Sequence, residues 1–260
     1  MDENVALRKP SCRARVAIFL PHHVWYITLC CHRKDFLLKF AKDRLRWRYW
    51  LYQAKNRFGL CVLNHFATFN HIHLLVRDRG EGEMPGRCSL SPDGPRRNTT
   101  GEKAARGWFR EDRYHATAVD SEGYLARCMV YIDLSMVRAG VVRHPAEWAV
   151  CSYREIQQPP QRYTVIDRRA LCELLGFHDD AALRQQHADW IEAVLAKGEY
   201  AREPGWTESL AVGEWDFLEA VKSTLGHRSC RRVIDEQHGM LALREPVTAY
   251  CADLGGESPL

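Results

Sequence analysis

An α+β fold is what the sequence predicts, on three observations. The first half sets short β-branched and aromatic runs around one long helical pattern, in the order β-α-β-β. A further long helical pattern follows near residue 130, and beyond the double proline Pro159-Pro160 the patterns are again helical. The 260 residues suffice for one large domain or a domain with an appendage. The expected division is a domain over 1–158, with 79–107 as an atypical loop, and a helical C-terminal extension over 159–260.

VWYITLCC (24–31) has the composition of a strand. FLLKFAKDRLRWRYWLYQAKNRF (36–58) is helical, with Asp35 placed to cap it and Gly59 to stop it. CVLNHFATF and HIHLLV form two more strands, and the short link at Asn70 suits a hairpin turn. Residues 79–107 are rich in Gly, Pro, Arg, Ser and Thr, lack apolar periodicity, and read as a flexible loop. Order resumes at WFREDRYHATAV. EGYLARCMVYIDLSMVRAG is a helix that Asp120 or Ser121 can start and Gly140 can end. DRRALCELLGF, DDAALRQQHADWIEAVLAKG and EWDFLEAVKSTLG supply the helices of the tail.

No apolar run approaches the ~20 residues of a membrane span, and the N-terminal stretch shows no secretory pattern. The ten cysteines include no CxxC, which argues against a structural zinc site and suits reduced thiols in the cytoplasm. The net charge of +4 is modest, but between residues 8 and 57 many basic residues face only Asp35 and Asp43. Trp47, Tyr49, Trp50 and Tyr52 are interleaved with Arg44, Arg46 and Arg48. Such a stretch either neutralises phosphates and stacks on unpaired bases, or is a solvated basic face with its aromatics in the core; both remain open.

His71 and His73 lie two apart in a strand, so both imidazoles leave the same face of the sheet. Two parallel imidazoles are half of a metal site. Tyr131 and Ser135 are four apart in the later helix and share a face, with Arg127 one turn back and Arg138 beyond. A phenol, two imidazoles and basic groups suit phosphodiester cleavage, which needs a nucleophile, a Lewis acid and positive charge. His65, on the second strand, reads as a packing residue, as do Trp206 and Trp215. His115 is a weaker candidate for DNA contact.

With these motifs in order, HIHLLV resembles the His-hydrophobic-His motif of HUH single-strand DNA transposases. YIDLSMVRAGVV and HPAEWAVCSYRE resemble the tyrosine helix, and the segment after it, of the REP-associated tyrosine transposases, over roughly residues 14–156. The resemblance implies a ferredoxin-like HUH core, with a mainly antiparallel sheet and helices on one face. It implies that Tyr131 attacks a DNA phosphate, leaving a 5′-phosphotyrosine and a 3′ hydroxyl. It implies Mg²⁺ or Mn²⁺ at His71 and His73, completed by Ser135, and single-stranded or hairpin DNA as partner, with a homodimer as one expected assembly. DNA contacts are expected from Arg44, Arg46, Arg48, Arg127 and Arg138. Two departures count against activity. Ser135 stands where the family carries an amide, and 84–107 has the composition of another reading frame. The alternative is therefore a catalytically impaired or non-enzymatic binder of structured single-stranded DNA.

Overall fold

The computed structural model describes residues 20–30, 38–80, 114–120, 123–198, 200–236 and 239–246. The expected loop at 79–107 falls, beyond residue 80, outside the described residues, as do Asp35 and Ser121.

The fold is α+β, built on a seven-stranded sheet of order β2-β3-β1-β4-β5-β7-β6. The first four strands are β1 (Val24–Cys30), β2 (Cys61–Ala67), β3 (His71–Arg77) and β4 (Tyr114–Val119). β1 lies between β3 and β4, antiparallel to both, and β2 pairs antiparallel with β3. The β2–β3 turn is a hairpin as expected: the Thr68 hydroxyl accepts from the His71 amide at 2.9 Å. That bond fixes where β3 begins, and so which face receives His71.

Helix α1 (Ala41–Phe58) ends at Gly59, whose φ of 70° is the left-handed stop that glycine adopts at no steric cost. Helices α2 (Gly123–Asp133) and α3 (Ser135–Arg138) are consecutive, joined through Leu134, and end near Gly140. Helices α4 (Ser152–Gln157), α5 (Arg168–Leu175), α6 (Asp180–Lys197), α7 (Gly205–Glu208) and α8 (Trp215–Leu225) follow.

Two expectations change. The helices were expected on one face of the sheet, and they cover both. Asn64 and His65 are adjacent in β2, so their side chains leave opposite faces. Asn64 bonds to Asp133 of α2 at 3.3 Å, whereas Trp47 of α1 packs against His65 with ring centres 6.0 Å apart. Buried residues on both sides of β1, Tyr26 and Ile27, require this two-sided cover. The segment after residue 158 was expected to be helical. Its helices form, but it also adds β5 (Ala211–Val212), β6 (Val233–Glu236) and β7 (Leu241–Arg244) to the same sheet. These strands are too short to show alternation in sequence. β5 joins β4 in parallel, and the remaining pairs are antiparallel. Among the described residues no helix is long and apolar enough to cross a membrane.

Candidate active site

The histidine face of the sheet can be read from register. His73 stands opposite Thr28 of β1 and Phe66 of β2, and Thr28 stands opposite His115 of β4. His71 and His73 rings run nearly parallel, with centres 6.3 Å apart and planes 13° apart. Each has a partner on Nδ1. His71 Nδ1 donates to Asn70 Oδ1 at 2.7 Å, which leaves the His71 lone pair on Nε2. His73 Nδ1 and the Tyr26 hydroxyl share a hydrogen bond of 2.7 Å. When His73 Nδ1–H donates to that oxygen, its Nε2 also carries a lone pair. Desolvation, with help from His71 and Arg138, pushes the His73 pKa down to about 3, so its imidazole is neutral near pH 7. Neutral imidazoles with the second nitrogen tied down are what a cation needs from histidine.

Helix α2 lays Tyr131 over the same face. Its ring meets that of Tyr26 edge-on, with centres 6.5 Å apart, and Tyr26 stacks on His73 at 6.0 Å. Tyr26 thus links the phenol of the helix to the imidazoles of the sheet. The Arg138 guanidinium lies 3.9 Å from the centre of the Tyr131 ring. Burial raises the Tyr131 pKa, while Arg138 and Arg202 act against the rise. Tyr26 is fully buried, and burial holds its own phenol well above the ordinary tyrosine range.

The wall beyond Tyr131 comes from the tail of the chain. Trp206 of α7 is fully buried, with its ring centre 6.1 Å from Tyr131 and 6.4 Å from Tyr26. Thr117 on β4 fixes α7 by donating its hydroxyl to the carbonyls of Trp206 and Ser209. Trp206 is thus the core residue expected, whereas Trp215 is half in solvent, 53% exposed.

A second tie holds α2. Asp133 accepts from Asn64 Nδ2 at 3.3 Å and pairs with His187 Nε2 of α6 at 2.9 Å, with all three side chains buried. Tyr131 precedes Asp133 by two residues, so this network holds the tyrosine helix between β2 and α6.

The other expected residues are placed less uniformly. The Ser135 hydroxyl donates to the Ile132 carbonyl at 2.6 Å and accepts from Arg138 at 3.1 Å, so it is engaged within its own helical segment. Arg127 pairs with Glu203 and donates to the Gly239 carbonyl. Arg44 donates to the carbonyls of Leu38 and Lys39 and lies over the Phe69 and Trp148 rings. Arg46 is exposed and Arg48 half-buried on α1, which packs against the other face of the sheet. Of the five arginines, Arg138 is the one the structure sets against Tyr131. His115 bonds through Nε2 to the Ser209 carbonyl at 2.7 Å. Among the described residues no three or more His, Cys, Asp or Glu gather into a metal-holding group.

No family model matches the chain, and no curated protein does. Among solved structures it is similar to a REP-associated tyrosine transposase bound to a REP hairpin. That likeness has a TM-score of 0.43 and 14% identity, and covers 58% of this chain and 91% of that one. A similarity at this level leaves the function to be argued from the site.

Sequence reasoning singled out His71, His73 and Tyr131 but did not place Tyr26 and Trp206 beside them, as the structure does. Tyr26 shares a strand face with Thr28, a signal visible in the sequence. That β1 pairs with β3 is a long-range fact that no local pattern encodes.

Proposed function

We propose that the protein is a metal-dependent transesterase that cleaves and rejoins single-stranded DNA through Tyr131. The observation that carries this reading is the stack Tyr131–Tyr26–His73, which joins a phenol and a pair of parallel imidazoles on one sheet face. His71 and His73 would hold Mg²⁺ or Mn²⁺ through their Nε2 atoms; imidazole ligands favour the softer Mn²⁺. When bound, the cation polarises the scissile phosphate and steadies its developing charge.

Tyr131 Oη attacks phosphorus as its proton passes to water, the P–O3′ bond breaks, and the departing O3′ takes a proton from water. A 5′-phosphotyrosine and a 3′ hydroxyl result. Attack by that hydroxyl reverses the step and releases Tyr131, so the phosphoester bond is conserved without an external energy source. Arg138 offers positive charge to the phenolate against the cost of its burial. Tyr26 orients His73, and Trp206 excludes water from one side of the phenol.

The engagement of Ser135 with Ile132 and Arg138 favours a second reading, a binder of structured single-stranded DNA that does not cut. The decisive experiment incubates the protein with a labelled single-stranded oligonucleotide and Mn²⁺, and looks for a band resistant to denaturing gel conditions. The transesterase forms it, and Tyr131→Phe, folded by circular dichroism, does not. Equal adduct in both proteins rejects Tyr131. No adduct from the native protein, with the oligonucleotide still bound, selects the second reading.

A further inference from the structure

The aromatic residues of α1 divide between the core and solvent. Trp47 is buried, whereas Tyr49 and Trp50 are 44% and 38% exposed, with ring centres 5.7 Å apart. A ring from outside the helix completes the group. Tyr163 is 54% exposed, and its ring centre lies 6.1 Å from that of Tyr49 and 5.2 Å from that of Tyr52.

Tyr163 is held there by its support. Its φ of 60° is a left-handed conformation that bulky L residues rarely adopt. The chain just after it is pinned from two sides. Lys55 Nζ donates to the carbonyls of Thr164 at 3.2 Å and Ile166 at 3.5 Å. Glu155 accepts from the amides of Val165 at 2.6 Å and Ile166 at 2.8 Å. The exposed rings therefore stand on an anchored base.

The charge around them selects a polyanion. Along α1, Lys42, Arg44, Arg46, Arg48, Lys55 and Arg57 face the single acid Asp43. Arg46 lies three residues before Tyr49 and four before Trp50, on the same helix surface, and exposed Arg162 adjoins Tyr163. Cationic groups around solvent-facing aromatics suit an unpaired nucleic acid strand, whose phosphates take the charge and whose bases take the rings. An apolar protein partner would not draw this concentration of like charge.

We propose that Tyr49, Trp50 and Tyr163, with Arg46 and Arg162, form a stacking platform for the bases of single-stranded DNA, remote from Tyr131. α1 packs on the face opposite His71 and His73, so the platform would hold a stretch of strand other than the one being cut. The choice of DNA as ligand rests on the function proposed above; the platform itself does not depend on Tyr131.

The test uses the full chain carrying Tyr131→Phe, without metal, so that no covalent step intervenes. Fluorescence anisotropy measures binding of a labelled thymidine 20-mer and of an abasic 20-mer with the same phosphates. Tyr49→Ala with Tyr163→Ala is expected to weaken binding of the thymidine strand about tenfold or more, leaving the abasic strand unchanged. Tyr163→Leu provides a milder variant, and thermal melting checks that each protein is folded. Unchanged affinity for thymidine, or equal losses on both strands, overturns the platform. So does a dimer seen by sedimentation in the parent and lost in the variant, since a second copy would then cover the rings. Adduct formation is measured separately on the Tyr131 protein. A native protein that makes no adduct but stacks on thymidine retains the platform and loses the transesterase; the converse retains the transesterase alone.

Discussion

Replacing Asp133 tests whether the tail of the chain holds the tyrosine helix in place. Asp133 is 1% exposed and accepts from Asn64 and from His187, both fully buried. Asp133→Ala leaves two buried donors without an acceptor, at about 1–3 kcal/mol each. The two losses together come to about 2–6 kcal/mol. Against a typical stability of about 5–15 kcal/mol, that is a large share. With a urea slope of about 2 kcal/mol/M, the unfolding midpoint should fall by about 2 M. Asp133→Asn keeps an acceptor for one donor and should cost less, about 1–2 kcal/mol. Combining Asp133→Ala with His187→Ala should cost well under the sum of the two single changes, because either one already breaks the bond between α2 and α6. A midpoint shift for Asp133→Ala below about 0.5 M, or strict additivity in the double variant, would falsify the account of α2 as tied to α6.

Other consequences are directly measurable. His71→Ala and His73→Ala should each abolish metal-dependent adduct formation while sparing part of the DNA affinity, measured by anisotropy, because binding rests mainly on basic side chains. Tyr26→Phe removes the hydroxyl bonded to His73 and should weaken Mn²⁺ binding about tenfold in calorimetric titration; unchanged affinity would show that Tyr26 does not orient the ring. Desolvation holds the His65 pKa down to about 4 against an ordinary 6.5, so the folded state keeps it neutral and the unfolded state protonates first. The stability from this histidine is present above pH 6.5 and is lost as pH falls toward 4, by about 2 kcal/mol between pH 7.5 and 5. Urea midpoints across that range should fall less steeply in His65→Phe; parallel slopes would remove His65 as the cause. Arg138→Ala should slow adduct formation about tenfold or more and move its pH dependence upward, since the phenol loses the cation that opposes its raised pKa.

Much of the first half of the fold was legible because its signals are local. The β-branched and aromatic composition of β1, the His-Ile-His alternation that opens β3, the glycine after α1 and the short turn at Asn70 each specify backbone geometry within a few residues. The shared face of His71 and His73 follows from the period of a strand alone. The tail was legible only in part. Its helices could be read as helices in sequence, but β5 has two residues and β7 four, and neither can show a pattern. Their strand character comes from β4, whose free edge they complete, and an edge is a property of the assembled sheet. For the same reason the side-chain commitments of Arg44, Arg127 and Ser135 were hidden. Each is polar and reads as functional in sequence, and each is engaged by groups that only the folded chain brings near or orients.

The division of the chain near residue 158 therefore needs a physical rather than a compositional test. Residues on both sides of it build the wall and the floor around Tyr131: Tyr26 and His73 from the early strands, Trp206 from α7. Asp133 and His187 form a buried pair across the same boundary, and β4 pairs with β5 across it. If these contacts act as one cooperative unit, cutting the chain at Pro159-Pro160 exposes the apolar faces of α2 and β4 together and removes the partner of a buried carboxylate. The isolated 1–158 fragment should then lose its sharp unfolding transition instead of melting as a smaller stable domain. A fragment that unfolds cooperatively and still forms the Tyr131 adduct would show that the tail is an accessory to the site and not part of its foundation.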